Sequence, residues 1–345
     1  MGRLVVEPID FVVLWVDGGD KKWQEEKAKY QYLATGKKVD ISANRYRDWG
    51  VMPYWFRSIE KCAPWVRKVH FVTCGQKPEW LNTECSKLNC VNHSDYIPAE
   101  KLPVFNANPI EIGLHRIKGI SEKFVFFNDD MFLLKPVKPS FFYKDGLPVQ
   151  YAALHPIVPQ GVLANSIMTH LIANSVTIIN RHFDSRLQIR KNWKKWFMPN
   201  RVGLKTALMN FLYSRHSAFI GFGNAHLPVP MLKKTYEEVW SKETEIMEQT
   251  LGSRFRTITD VSQYLFRYWD LADGNFYPTS LKKLGKKYDL GVCSSAFEAI
   301  RNQSCNMVCL QDTEECDVEN VFNQVKKNLI DAFETVFPEK SSFEK

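Results

Sequence analysis

Hydrophobic and polar positions alternate between two periods over the first 135 residues. "IDFVVLWV" (9–16) is an unbroken run of β-formers that ends at Asp17-Gly18-Gly19-Asp20. It predicts a buried strand entering a turn. "KKWQEEKAKYQYLA" (21–34) predicts a helix, and "MPYWFRSIEKCAP" (52–64) a second, stopped by Pro64. "KVHFVTC" (68–74) and "LNCVNHSDYIP" (88–98) read as strands, the latter running into a loop. "NPIEIGLHRIKGI" (108–120) predicts a helix with Ile110, Leu114 and Ile117 on one face. "KFVFFND" (123–129) is a fourth strand, and "MFLLKPV" leads the chain away as a β-bridge. Strands alternating with helices predict an α/β fold with a mostly parallel sheet. Ligands bind beyond the carboxyl ends of such strands, where Asp17, Asp129 and Asp130 all fall.

Downstream the pattern changes. Residues 156–220 are basic, aromatic and amphipathic, and predict a helical insertion. Further helices are expected at 231–250, at 256–272 and at 317–336. No repeat or low-complexity linker interrupts the chain, so a single unit with an insertion is expected.

Composition narrows the function classes. The chain has 345 residues, 45% of them hydrophobic, enough for a sizeable core. No apolar stretch approaches the roughly 20 residues that a membrane-spanning helix needs. Glu7, Pro8 and Asp10 break the N-terminal apolar run, so it does not read as a signal peptide, and Val6 breaks a myristoylation start. The expected location is the cytoplasm. Eight cysteines include no CxxC pair, which argues for free thiols and against structural zinc. The net charge of +8 suits nucleotides, phosphorylated polymers or a membrane surface. No arginine-rich arm, helix-turn-helix or RNP-like strand points to nucleic acid. The basic segment reads either as a solvated helix over the core or as a surface meeting an anionic acceptor or membrane headgroups.

Four groups of residues carry candidate chemistry. Asn128, Asp129 and Asp130 follow an apolar strand; there they suit a hard divalent ion, although such triplets also make turns and caps. Arg45, Arg47, Arg57, Arg116, Arg254 and Arg256 lie near predicted strand ends and helix starts. Their guanidinium forks can bind phosphate, and the alternative is surface ion pairing. His226, in "GFGNAHLPVP", sits in a loop fixed by glycines and prolines, as a general base or as a histidine bonded to backbone. Asn106, Asn108, Glu111, His115 and Arg116 surround one predicted helix start, which favours either an anion or simple capping.

Taken together, these stretches resemble the Stealth family of sugar-phosphate transferases. That family includes bacterial capsule polymerases and the animal enzyme that puts GlcNAc-1-phosphate on lysosomal glycoproteins. The first of its four ordered regions resembles residues 9–23. The second, the longest and most specific, resembles 45–82, 93–98 and 102–133. The third resembles 223–265, and the fourth 305–313 with 337–345. Three positions depart from the family pattern: Gly19, Pro109 and Gln311. The last weakens a metal role for the fourth region.

The resemblance implies transfer of a sugar 1-phosphate from a nucleoside-diphosphate sugar to an acceptor hydroxyl. A phosphodiester forms and a nucleoside monophosphate departs. Asp129 and Asp130 would hold Mg²⁺ or Mn²⁺, and His226 would take the acceptor proton, with Arg116 and Asp130 as further catalytic residues. Trp15, Asp17 and Gly18 would meet the nucleotide. Arg45, Arg47, Arg57, Arg254, Arg256 and Asp312 would join the substrate site. So would Asn106, Asn108, Glu111, His115 and Asn128, with Asp260 in support. The donor is expected to be UDP-GlcNAc-like and the acceptor a carbohydrate or polyol phosphate. Peripheral contact with the inner membrane face and a role in capsule synthesis are further expectations. The fold expected is α/β with a Rossmann-like (GT-A-like) sheet. Residues 1–150 would be the nucleotide-sugar-binding core, 156–220 the insertion, and 221–345 the rest of one catalytic unit spanning 1–345. Two rivals stand beside this reading: a metal-dependent glycosyltransferase that releases nucleoside diphosphate, and a non-catalytic carbohydrate-binding protein.

Overall fold

A computed structural model of the chain describes residues 7–36, 47–159 and 163–345; Arg45 lies outside the described residues. The first third runs β1 (Ile9–Leu14), α1 (Lys21–Thr35), α2 (Met52–Cys62), β2 (Val69–Thr73), β3 (Leu88–Asn92), α3 (Ala107–Ile112) and β4 (Lys123–Phe127). Next come β5 (Met131–Leu133), β6 (Tyr143–Lys144) and β7 (Leu147–Tyr151). Five helices follow: α4 (Leu163–His182), α5 (Ser185–Lys191), α6 (Trp193–Phe197), α7 (Pro199–Val202) and α8 (Leu204–Tyr213). Then β8 (Val229–Leu232) leads into α9 (Lys233–Lys242), α10 (Thr244–Leu251), α11 (Tyr264–Asp273) and β9 (Tyr277–Thr279). The chain closes with α12 (Leu281–Leu284), β10 (Gly285–Asp289), α13 (Ala296–Arg301), β11 (Met307–Gln311) and α14 (Glu319–Val336).

The central sheet has the order β3-β2-β1-β4-β8. Strands β1 to β4 are parallel and β8 is antiparallel. Side chains on a strand alternate between faces. Accordingly, Phe11 and Val13 enter one apolar cluster, with α2, α13 and α14. Val12, Phe124 and Phe126 enter the other, with α3 and α9 to α11. Burial on both faces is why these strands read as continuous apolar runs. Two smaller sheets, β10-β11-β5 and β6-β7-β9, lie beside the main one.

One carboxylate is buried inside the sheet. Asp10 on β1 is fully buried, and accepts from Arg67 Nε at 2.8 Å and from Ser121 N at 2.8 Å, with His70 Nε2 at 3.0 Å. It thereby ties β1 to β2 and to the lead-in to β4. The connection after β3 passes back across β1 to reach β4, so strand order reverses between β1 and β4. Ligands of open α/β sheets bind outside the carboxyl ends at such a reversal.

Several expected boundaries change. The helix expected over 108–120 is only Ala107–Ile112, followed by a 3-10 turn at Leu114–Arg116. Gly113 intervenes, where a Cβ would meet the Tyr96 ring at 3.0 Å. The helix expected over 231–250 begins as strand β8 and then splits into α9 and α10 at Glu243. The helix expected over 256–272 starts at Tyr264. The strand expected to run into a loop within 88–98 does so after Asn92, where the Asp95 carboxylate accepts from the Asn92 backbone N–H. Strands β6, β7, β9, β10 and β11 carried no prediction. All eight cysteines are free.

Candidate active site

The site forms where β1 and β4 end. Trp15 follows β1 and stacks on Phe71 of β2, with ring centroids 5.5 Å apart. Asn128, Asp129 and Asp130 form the turn between β4 and β5, closed by Met131 N donating to Asn128 O at 3.2 Å. Trp15, Asn106, Glu111, Asn128, Asp129, Asp130 and Arg256 all line one cleft of about 330 Å³. A second hollow of about 160 Å³ opens from the same Trp15, Asp129 and Asp130 toward Arg47 and Asp312.

Asp130 lies where three parts of the chain meet. Its carbonyl accepts from Leu310 N at 2.8 Å, which docks β11 beside the turn. Its Oδ2 accepts from Cys309 Sγ at 3.2 Å and lies 3.6 Å from His226 Nε2. Ligating atoms of Asp130, His226 and Cys309 lie within 4.8 Å of one another. Asp130 Oδ1 and Asp312 Oδ2 are buried without a hydrogen-bond partner. Burial first, then the Asp130 charge, push the Cys309 thiol far above its ordinary value. It is therefore a neutral donor to Asp130 rather than a thiolate ligand. Oxygen atoms left without partners in an acidic hollow suit a hard cation.

Asp129 is exposed on the cleft wall, yet its surroundings and the neighbouring Asp130 charge push its carboxyl up to about 7. A cation bound there would reverse the shift. Burial also raises Glu111, whose Oε2 accepts from Gln263 N at 3.2 Å. Asp312 is raised as well, by burial, against the pull of Arg47.

The His226 loop is held by its own residues. Gly221 has φ +132, and a Cβ there would meet His155 O at 2.4 Å, so only glycine fits. Asn224 Oδ1 accepts from Arg267 Nη1 at 3.1 Å, and its amide reaches the Tyr268 hydroxyl at 2.7 Å. His226 itself has φ +46, a left-handed conformation uncommon outside glycine. Such strain persists only where the surroundings impose it.

The remaining expected residues fall into two groups. A support layer contains Asn108 and Asp260. The Asp260 carboxylate accepts from Asn106, Asn108 and Thr257, which ties the loop carrying Arg256 to the start of α3. Arg47 approaches the hollow but is engaged by Asp312 at 3.3 Å and Asp317 at 2.6 Å. The Asp17 carboxylate accepts from Gly19 N at 2.8 Å, and Gly18 O accepts from Gln24, so this turn is locally capped; Val16 before it lines the cleft, and Asp17 and Gly18 do not.

Other residues point elsewhere. Arg57 binds Glu344, Glu334 and the Phe337 carbonyl, and so anchors the C-terminal segment. Arg254 donates to the Pro103 and Leu102 carbonyls. Arg116 stacks on Trp240 at 3.8 Å, and His115 packs between Tyr236 and Trp240, its pKa lowered to about 4 chiefly by burial. None of these four lines the cleft. Cys309 and Arg267 were not anticipated. Cys309 sits in an apolar strand whose facing depends on pairing with β5, which no local pattern encodes.

Comparison with known sequences identifies the family of the chain. The sequence model of Stealth protein conserved region 1 matches residues 7–31, and that of conserved region 2 matches residues 45–150. These spans contain Trp15, the Asn128–Asp130 turn and α3. The receptor polysaccharide phosphotransferase WefC of Streptococcus oralis is 44% identical over 97% of this chain and 99% of its own. The capsular polysaccharide phosphotransferase WcwK of Streptococcus pneumoniae is 42% identical over 97% of this chain and 99% of its own. The exopolysaccharide phosphotransferase cps2G of Lactiplantibacillus plantarum is 36% identical over 98% of this chain and 96% of its own. Similarity of this extent over whole chains makes the protein a member of the Stealth family, and its enzyme class that of a phosphotransferase.

Proposed function

We propose that the protein transfers a sugar 1-phosphate from a nucleoside-diphosphate sugar to a hydroxyl of an acceptor sugar or polyol, in capsular or exopolysaccharide synthesis. One observation carries the reading: the two oxygens of Asp130 face different tasks. Oδ2 turns toward Cys309 and His226, while Oδ1 is buried and without a partner. A carboxylate so arranged can orient a histidine on one side and meet a cation on the other.

In this reading the acceptor oxygen attacks the sugar-linked phosphorus. A phosphorus–oxygen bond forms, the bridging bond to the nucleotide phosphate breaks, and nucleoside monophosphate leaves with the bond's electron pair. The acceptor proton passes to His226 Nδ1, the ring nitrogen not turned to Asp130, while Asp130 beside Nε2 orients the ring and offsets its positive charge. Arg256 is exposed at the cleft rim and among the described residues no ion pair holds it, so its guanidinium can meet the donor phosphates. Trp15 offers a flat apolar face for the nucleotide. Asp129, Asp130 and Asp312 would hold Mg²⁺ or Mn²⁺, which supplies charge neutralisation at the diphosphate.

The strand order 3-2-1-4 supports a Rossmann-like, GT-A-like nucleotide fold over about residues 1–150, within one catalytic unit. A UDP-GlcNAc-like donor and a cytoplasmic location belong to the same proposal. The acidic turn at a strand end would serve metal-dependent glycosyl transfer equally well, so the product separates the two. Purified protein is incubated with a panel of nucleotide sugars, acceptor and Mg²⁺, and the released nucleotide is identified. Nucleoside monophosphate is expected; nucleoside diphosphate would transfer the assignment to the glycosyltransferase reading.

A further inference from the structure

The chain's excess positive charge is concentrated in one segment. Residues 185–216 contain eight Lys or Arg and no Asp or Glu. Of the 46 Lys and Arg in the chain, removing these eight leaves 38, which equals the 38 Asp and Glu of the whole. The net +8 of the protein is thus matched by this one helical segment.

The same segment exposes an apolar stripe. On α8, Leu204, Leu208, Phe211 and Leu212 occupy positions i, i+4, i+7 and i+8, which share one helix face. They are 76%, 59%, 49% and 47% exposed. The opposite face is fixed to the body of the protein. Asn210 is fully buried, donates to Ala152 O at 2.9 Å and Trp196 O at 2.8 Å, and accepts from Leu154 N at 2.7 Å. Ala207 packs beside it. This anchoring sets the outward direction of the stripe. Cations border it: Lys205 is exposed within α8, Arg215 lies over the Phe211 ring at 5.0 Å, and Arg186 donates to Arg215 O at 3.4 Å.

We propose that the α8 face is a docking surface for an anionic lipid bilayer, its apolar stripe entering the headgroup–acyl boundary and the flanking cations meeting lipid phosphates. Both halves of the feature need explaining together. A soluble polyanion would satisfy the cations and leave four large apolar side chains in water. A second copy of the chain would cover the stripe but bring like charges face to face, which opposes self-association. An anionic membrane surface answers both, with apolar burial and electrostatic attraction acting on one element. Among the described residues no helix is long and apolar enough to cross a membrane, so the contact is peripheral. Asn210 joins α8 to residues 152–154, directly after Tyr151, which borders the His226 hollow. Docking would hold that hollow close to the lipid surface.

The test uses the full chain and needs no catalytic readout. Vesicles of phosphatidylcholine alone, and of equal phosphatidylglycerol and phosphatidylcholine, are floated with the wild type, with Leu208→Ser/Phe211→Ser, and with Lys205→Glu/Arg215→Glu. We expect wild-type binding to the anionic vesicles, weaker by about tenfold or more on neutral ones, and a similar loss in each double variant. Unchanged thermal melting of the variants keeps loss of fold from imitating loss of docking. Absence of vesicle binding, or equal binding to both vesicles, overturns the proposal. Binding that survives the Leu208/Phe211 change but not the charge reversal marks a polyanion site and also overturns it. So does a concentration-dependent dimer, by light scattering, that the Leu208/Phe211 change dissolves.

Discussion

At the scale of single residues, the site turns on a carboxylate with two unlike oxygens. A histidine beside Asp130 Oδ2 gains orientation and a counter-charge, which a general base requires. His226→Ala should therefore lower turnover by roughly 10²–10⁴-fold while leaving donor affinity, measured by calorimetry, within a few-fold. Equal losses of affinity and turnover would mean that His226 binds donor instead. Asp129→Ala and Asp130→Ala should each abolish the response of activity to added Mg²⁺ or Mn²⁺. Full activity of both variants in the presence of chelator would remove the cation from the account. At this scale the sequence was partly readable. Asp129, Asp130 and His226 stand out because polar residues interrupt apolar or glycine-rich stretches. Cys309 does not stand out, since its role arises from strand pairing with β5. Nor could sequence reveal that Arg57 would be consumed by Glu344, 287 positions away.

At the scale of elements, the arrangement depends on buried polar clasps. Asp10 holds Arg67, His70 and Ser121 N, and so fixes β1 against β2 and the entry to β4. Removing one partner of a buried ion pair leaves the others uncompensated. Asp10→Ala should cost about 3–5 kcal/mol of unfolding free energy in urea titration. A loss under about 1 kcal/mol would show that the clasp is dispensable. Asp260 does the same for α3 and the Arg256 loop. The parallel strands were legible as elements because burial on both faces leaves an apolar run. Boundaries failed where tertiary contacts overrode local pattern. The stretch around 231 has helical spacing, but β4 recruits Val229–Leu232 as an edge strand first. α3 ends at Gly113, where a Cβ would press on the Tyr96 ring at 3.0 Å.

At the scale of the whole molecule, two buried carboxylates shape stability in opposite directions. Burial pushes Asp270 up to about 8, only partly countered by the Thr235 hydroxyl at 2.7 Å. Its folded value exceeds its unfolded one, so its contribution is fullest below about pH 4 and is lost as pH rises toward 8. Burial also pushes Asp10 up, but the bonds from His70, Arg67 and Ser121 outweigh it and hold it below its ordinary value. Its contribution is present above about pH 4 and is lost as pH falls through the folded value. Asp270→Asn should therefore gain stability relative to wild type between pH 5 and pH 8; a pH-independent difference would contradict the assignment. The α/β class and the parallel core could be read from periodicity. The meeting of residues 15, 130, 226, 309 and 312 could not, because it depends on how distant loops and a second small sheet close over one strand end.

The most direct measurement follows the sugar-linked phosphorus itself. Donor carrying ³²P only in the sugar-linked phosphate is mixed with enzyme, acceptor and Mg²⁺ for a single turnover, and the label is located. The account predicts that the label moves into the acceptor product as a phosphodiester, leaving unlabelled nucleoside monophosphate. Label retained in a released nucleoside diphosphate would contradict it.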